Sequence, residues 1–158
     1  MSITTGFVAG TQVLLFSGEV KSIEEVTSDD IIVSKNLEFG EYEPSRSVIG
    51  RTTATSMVRL SLTNPSLQSD ESMSNIQDIN LISTQKVYVV DSGWKVATDL
   101  VNGDVLQGAG DDSTQFSSVV STEISNVECD VIHLDSCEPN GNYFAGFILV
   151  ADNTTNNS

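Results

Sequence analysis

The chain has little with which to do acid–base, metal or redox chemistry. Its 158 residues include one histidine, two cysteines and seven basic residues. A single histidine and the absence of any Cys-x-x-Cys pair exclude the usual zinc sites. Seven Lys and Arg against twenty-two Asp and Glu give a formal net charge of −15. Phosphate contacts need clustered basic side chains, so this balance argues against a nucleic-acid partner and against an anionic membrane surface. The longest apolar run, Phe147 to Ala151, is far too short to span a bilayer, and no charged-then-apolar leader opens the chain. The expectation is a soluble protein with no targeting signal, cytoplasmic or particle-associated. It has a protein partner of unknown identity, no small-molecule substrate and no cofactor. Cys129 and Cys137 pair only if a bend brings them together; the other reading is two unpaired cysteines in or near the core.

What is present is a stretch that occurs twice. Ser17 to Val33 returns about 74 positions on as Ser92 to Leu106. Each copy runs Ser-Gly turn, Lys, short apolar segment, a turn ending in Asp (Asp30 or Asp104), then an aliphatic strand. Ser-Gly suits a hairpin turn, Glu25 or Asp99 is expected to begin a one-turn segment, and the Asp turn frees a β-branched run to start. Neither copy buries much apolar surface alone, so two pseudo-equivalent halves are expected to close one core.

Along the chain, two-residue alternation marks strands and no helical stripe exceeds about two turns, so the class is all-β. Residues 1–5 read as a polar leader and 154–158 as a polar tail. Strands are expected at Ile31 to Ser34, as one bent or two short strands from Ser47 to Thr63, and at Ile79 to Ser83, Lys86 to Val90, Gln115 to Ile124 and Val127 to Leu134. Asn36 to Pro44 reads as a connection and 108–112 as a turn. Residues 64–78, opened by Asn64-Pro65 and rich in Ser and acid, read as a mobile acidic surface loop. Asn140-Gly141 suits a tight hairpin turn. Trp94 and Tyr143 are expected to be core anchors.

Three segments in order resemble the motifs of the Hint family, the fold of intein splicing domains, bacterial intein-like domains and the hedgehog autoprocessing module. They are Gly6-Phe7-Val8-Ala9-Gly10-Thr11-Gln12-Val13; Ser83-Thr84-Gln85-Lys86-Val87-Tyr88-Val89 with Gly93-Trp94 and Gly103-Asp104; and Asn142-Tyr143-Phe144-Ala145-Gly146-Phe147-Ile148-Leu149-Val150. The resemblance covers residues 6–153. It implies a pseudo-twofold, horseshoe-like β fold in which both chain ends meet at one cleft.

It also implies chemistry that this chain lacks. The family attacks a preceding carbonyl with an initial Cys or Ser, steadies that bond with Thr-x-x-His, assists with a late Asp or Cys, and cyclises a terminal Asn after a His. Here Gly6 takes the nucleophile's position and has no side chain to attack with. Ser83 and Lys86 take the positions of the Thr and the His. A lysine ammonium, unless deeply desolvated, does not exchange a proton near neutrality as imidazole does. At the end, Ala151-Asp152 replaces His-Asn; a one-residue shift instead aligns Asp152-Asn153, followed by Thr154. His133 falls where the late Asp or Cys lies. It is either a surviving proton carrier in the old cleft or a solvent-facing strand residue between inward aliphatics.

The vestigial-site positions are therefore Gly6, Ser83, Lys86, His133, Asp152 and Asn153. The expected function is that of a degenerate, non-enzymatic Hint domain kept as a structural or interaction module, a viral or phage accessory protein being one class it fits. The alternative is residual self-processing, in which Asn153 cyclises and releases Thr154 to Ser158.

Overall fold

The computed structural model describes residues 3–63, 76–109 and 117–158. Among these the chain forms strands β1 (Gln12–Leu14), β2 (Val20–Ser22), β3 (Ile32–Lys35), β4 (Tyr42–Ser45), β5 (Ile49–Ala54), β6 (Met57–Thr63), β7 (Ile76–Ile82), β8 (Lys86–Val89), β9 (Gly93–Val96), β10 (Val105–Leu106), β11 (Ser117–Ser125), β12 (Cys129–Leu134), β13 (Asn142–Ala145) and β14 (Ile148–Ala151), then a short helix α1 (Asn153–Asn156). Most of the strands form one large sheet in the order β2-β1-β13-β14-β8-β10-β11-β6-β7, with β9 paired to β8; β12–β5 and β3–β4 make separate two-stranded ladders. Every strand pairing is antiparallel. The fold is all-β, as the alternation predicts.

The repeat in the sequence is a repeat in the hydrogen bonds. Lys21 Nζ lies 2.9 Å from Asp30 Oδ2, and Lys95 Nζ lies 2.9 Å from Asp104 Oδ2. The same Asp30 oxygen accepts from Thr27 N at 2.8 Å, and that of Asp104 from Val101 N at 3.0 Å. Each carboxylate thereby closes its own turn, held below the usual range first by the backbone N–H and then by the lysine. One-turn 3-10 segments at Ile23–Glu25 and Ala97–Asp99 match as well, so Glu25 and Asp99 end these segments rather than begin them. Their first N–H groups bond Thr11 O and Gln85 O, both at 2.8 Å, again 74 positions apart. The Leu15–Ile32 bridge has its counterpart in Val89–Leu106.

Both halves face a single core. Phe7, Val13, Ile23, Val58, Leu81, Val87, Leu106, Leu134, Tyr143 and Val150 are fully buried in it. Burying a side chain of this kind stabilises by about 1.5–3 kcal/mol, so this shared interior is a large contribution that the two halves make jointly. Tyr143 is the core anchor that was expected, packed edge-on against Phe7 at 6.4 Å between ring centres. Trp94 is only half-buried; it packs against Tyr88 over a second, smaller cluster around Phe144 and Leu149.

Several expectations change. The stretch from 36 to 44 is not a plain connection, because Tyr42–Ser45 forms β4 and pairs back on β3. Of the expected loop, residues 64–75 lie outside the described residues, and 76–78 open β7, in full register with β6. Residues 110–112 of the expected turn also lie outside them. Asn140-Gly141 does turn the chain, but it joins β12 to β13, which do not pair; the hairpin turn is Gly146-Phe147, between β13 and β14. Gly146 suits that turn with a φ of +60°, and a Cβ there would also press on the end of the Ile79 side chain. The polar tail is not loose: Asp152 caps α1, accepting from Thr155 N at 2.7 Å. Cys129 and Cys137 are both free thiols. No helix among the described residues is long and apolar enough to cross a membrane.

Candidate functional site

The two ends of the chain meet. The segment before β1 runs between β7 and β12, with Phe7 bridged to Leu81 on one side and to Ile132 on the other. Gly6 N donates to Gln85 Oε1 at 3.1 Å, and Gly6 O accepts from Ile82 N at 2.9 Å. Gln85 is wholly buried, and its Nε2 donates to Lys86 O at 2.9 Å and Ala151 O at 3.0 Å. One amide side chain thus ties together the nucleophile position, the start of β8 and the end of β14.

Gly6 has a φ of +152°, and a Cβ built on it would lie 2.5 Å from Val131 Cγ2 and 2.8 Å from Val131 Cβ. On this backbone a side chain at position 6 would run into Val131. Ser83 is buried in the turn after β7, its N–H bonded to Ser56 O at 3.1 Å. Lys86 N donates to Asn156 Oδ1 at 2.7 Å.

His133 is 4% exposed, so it is not the solvent-facing residue that one reading expected. Its ring lies against Gly50 of β5, where a Cβ would come 2.5 Å from Cε1, and its Nδ1 is 2.6 Å from Asp135 Oδ1. A side chain at position 50 would push the imidazole out of this place.

Asp152 and Asn153 face opposite ways. Asp152 Oδ2 accepts from Cys137 N at 2.6 Å, so its carboxylate points to the β12–β13 connection. Burial pushes the Cys137 thiol up, and the charge of Asp152 pushes it further. The Tyr143 hydroxyl, which the charges of Cys137 and Asp152 also reach, is pushed up by burial first. Asn153 turns instead to the N-terminal segment, its Oδ1 accepting from Thr4 N at 3.0 Å and Thr5 Oγ1 at 3.1 Å.

The six vestigial positions therefore share a neighbourhood in the backbone but not in their side chains. Gly6, Lys86 and Asn153 join through Gln85, Thr4 and Asn156, whereas the Asp152 carboxylate and the His133 ring are directed elsewhere. The groups that hydrogen-bond where the ends join are hydroxyls, amides and backbone atoms. Among the described residues no cluster of three His, Cys, Asp or Glu side chains could hold a metal ion. A groove of about 470 Å³ lies to one side, between Val8–Gln12, Ile79 and Phe147, and does not include these positions.

Gln85, Val131 and Asn156 were missed by residue type. A signal for Gln85 does exist: Ser83, Gln85, Val87 and Val89 alternate in one phase, and all four are buried. Gln85 lies just before β8 and continues the inward phase of that strand.

No protein-family model matches the chain, and no curated protein matches it in sequence. Solved structures do. A bacterial intein-like domain from Clostridium thermocellum matches with a TM-score of 0.77 and 20% identity over 96% of this chain and 100% of the other. A DnaB intein from Synechocystis sp. PCC 6803 gives a TM-score of 0.72 and 19% identity over 94% of this chain and 98% of the other. The PabCDC21-1 intein gives 0.72 and 18% over 96% and 99%. The chain has the Hint-type fold of these domains, as its motifs implied.

Proposed function

We propose that this chain, folded as inteins are, has lost self-processing and serves as a structural or protein-binding module. The observation that carries the reading is the filled space at position 6. Loss of the nucleophile is matched by Val131 packed where its side chain would stand. On the observed backbone, with φ at +152°, position 6 has no room for a side chain, so a cysteine there would need both the local backbone and Val131 to move. Lys86 in place of the His and Ala151 ahead of Asp152 agree with it. The test is the intact mass of purified protein after long incubation from acidic to alkaline pH, with and without thiol and hydroxylamine. An unchanged mass is expected, and release of either end would overturn the reading.

One observation favours residual cleavage at Asn153. Its backbone carbonyl accepts from Asn157 N at 3.2 Å and from Asn157 Nδ2 at 2.9 Å, two donors that would polarise the bond to Thr154. In that case the same mass measurement would show loss of Thr154 to Ser158, and Asn153→Ala would abolish the loss.

A further inference from the structure

Asn156 belongs to none of the motifs, yet its side-chain amide is bonded at both its oxygen and its nitrogen. Its Oδ1 accepts from Lys86 N at 2.7 Å. Its Nδ2 donates to Thr84 O at 3.0 Å, to Thr4 Oγ1 at 2.8 Å and, at 3.3 Å, to Thr4 O. Thr84 Oγ1 closes the ring of contacts by donating to Thr4 O at 2.7 Å. Asn156 is 6% exposed.

The partners dictate the chemistry of the occupant. Lys86 N can only donate and the carbonyls of Thr84 and Thr4 can only accept, so the occupant must present an acceptor to one side and an N–H pair to the other. A primary carboxamide does this in one planar group. A carboxylate would set an oxygen against two carbonyl oxygens, and an aliphatic side chain would leave a buried N–H and C=O unpaired. Reach matters as well, since the amide arrives from a single turn of helix pinned at Asp152.

We propose that the notch between Thr4 and the Thr84–Lys86 segment is a binding site for a peptide asparagine side chain, occupied in cis by Asn156. The tail is a tethered ligand, and an asparagine-bearing segment of another chain takes the notch when the tail leaves it. This goes beyond the loss of self-cleavage and rests on it in one respect, since the Asn153–Thr154 bond must stay intact to keep Asn156 on the chain, which intact mass reports separately from the exchange at Lys86.

The test uses the full-length chain carrying Asn156→Ala, observed by amide hydrogen exchange and NMR shifts. Exchange at Lys86 should speed by about tenfold or more against wild type, with the core amides of Ile132 and Phe144 unchanged. The acetylated hexapeptide Asn-Thr-Thr-Asn-Asn-Ser, at roughly millimolar concentration to match the lost tether, should restore protection at Lys86 and shift Thr84 in the variant. It should do neither in the wild type, whose notch is full. The same peptide with Asp in its fourth position should be inert. Equal action of the two peptides, no action of either, or a Lys86 amide as protected in the variant as in wild type would overturn the proposal. Should Asn156→Ala fail to fold, Asn156→Asp keeps the volume. It should open the notch at neutral pH and close it once the acid is protonated near pH 4; a notch that stays closed at neutral pH would equally refute the proposal.

Discussion

Phe7 faces Leu81 across an antiparallel bridge, flanked by Val8 N to Asn80 O at 3.2 Å and Ile82 N to Gly6 O at 2.9 Å. Under the 74-residue offset of the repeat, Phe7 becomes Leu81, Val8 becomes Ile82 and Gly6 becomes Asn80, so each of the two hydrogen bonds is the other's counterpart. The pseudo-twofold axis of the duplication passes between these two residues. Gly6 is one residue from it, which explains how the start of the chain comes to lie in the middle of the molecule. The same exchange relates the Phe7–Ile132 bridge to the Leu81–Val58 pair, so each half lends a strand to the other.

A cysteine at position 6 should be poorly accommodated. Gly6→Cys should cost about 1–3 kcal/mol of stability by overpacking against Val131, and Val131→Ala alone about 2 kcal/mol through the cavity it leaves. The double variant should lose less than the sum, by about 1 kcal/mol, since each change makes room for the other. Urea unfolding measures the cycle. Additive losses would mean that residues 6 and 131 do not share the space.

Gln85→Leu should be among the most destabilising substitutions available. It leaves Gly6 N and Ala151 O without their partner in a buried setting, a loss of about 2–4 kcal/mol. Thermal unfolding measures it, and an effect below about 0.5 kcal/mol, the range of ordinary surface substitutions, would show that the amide staple does not hold the ends together.

Asp30→Asn and Asp104→Asn should have matching effects, about 1 kcal/mol each, because the lysine partners are about a third exposed and screened by solvent. Both carboxyls are held below their usual range, so the native state releases its proton at lower pH than the unfolded chain. Their contribution is therefore present above about pH 4 and is lost as pH falls through the native values. Denaturant midpoints from pH 7 down to pH 2 should show a shallower acid limb in each variant, and shallowest in the pair.

The alkaline limb has the opposite origin. Burial raises the Cys137 thiol and the Tyr143 hydroxyl, so both stay protonated in the native state after the unfolded chain ionises. Stability should be constant up to about pH 8.5 and decline above it. In the same range, thiol labelling of native protein should modify half-exposed Cys129 and spare Cys137; equal labelling rates would contradict the burial of Cys137.

Much of the fold was legible because it is written in local spacing. The Lys, Asp and Ser-Gly positions of the repeat act within a dozen residues of one another, so Lys21–Asp30 and Lys95–Asp104 could be anticipated as equivalent turns before any pairing was known. That position 6 carries no side chain was legible too, since it is a glycine. Val131 and Asn156 were not legible, because both act across well over 60 residues of chain and their residue types are unremarkable on a strand and in a polar tail. His133 could be placed on a strand by sequence, but its burial depends on the absence of a side chain at Gly50.

By itself the sequence determined an all-β chain of two related halves, strongly acidic and with a glycine at position 6. Only the tertiary structure decided what fills the space left behind, because a side chain's direction depends on the strand beside it and not on its neighbours in sequence. That is why Gln85 and Asn156, polar residues in polar stretches, turn inward to join two chain ends brought together by the core.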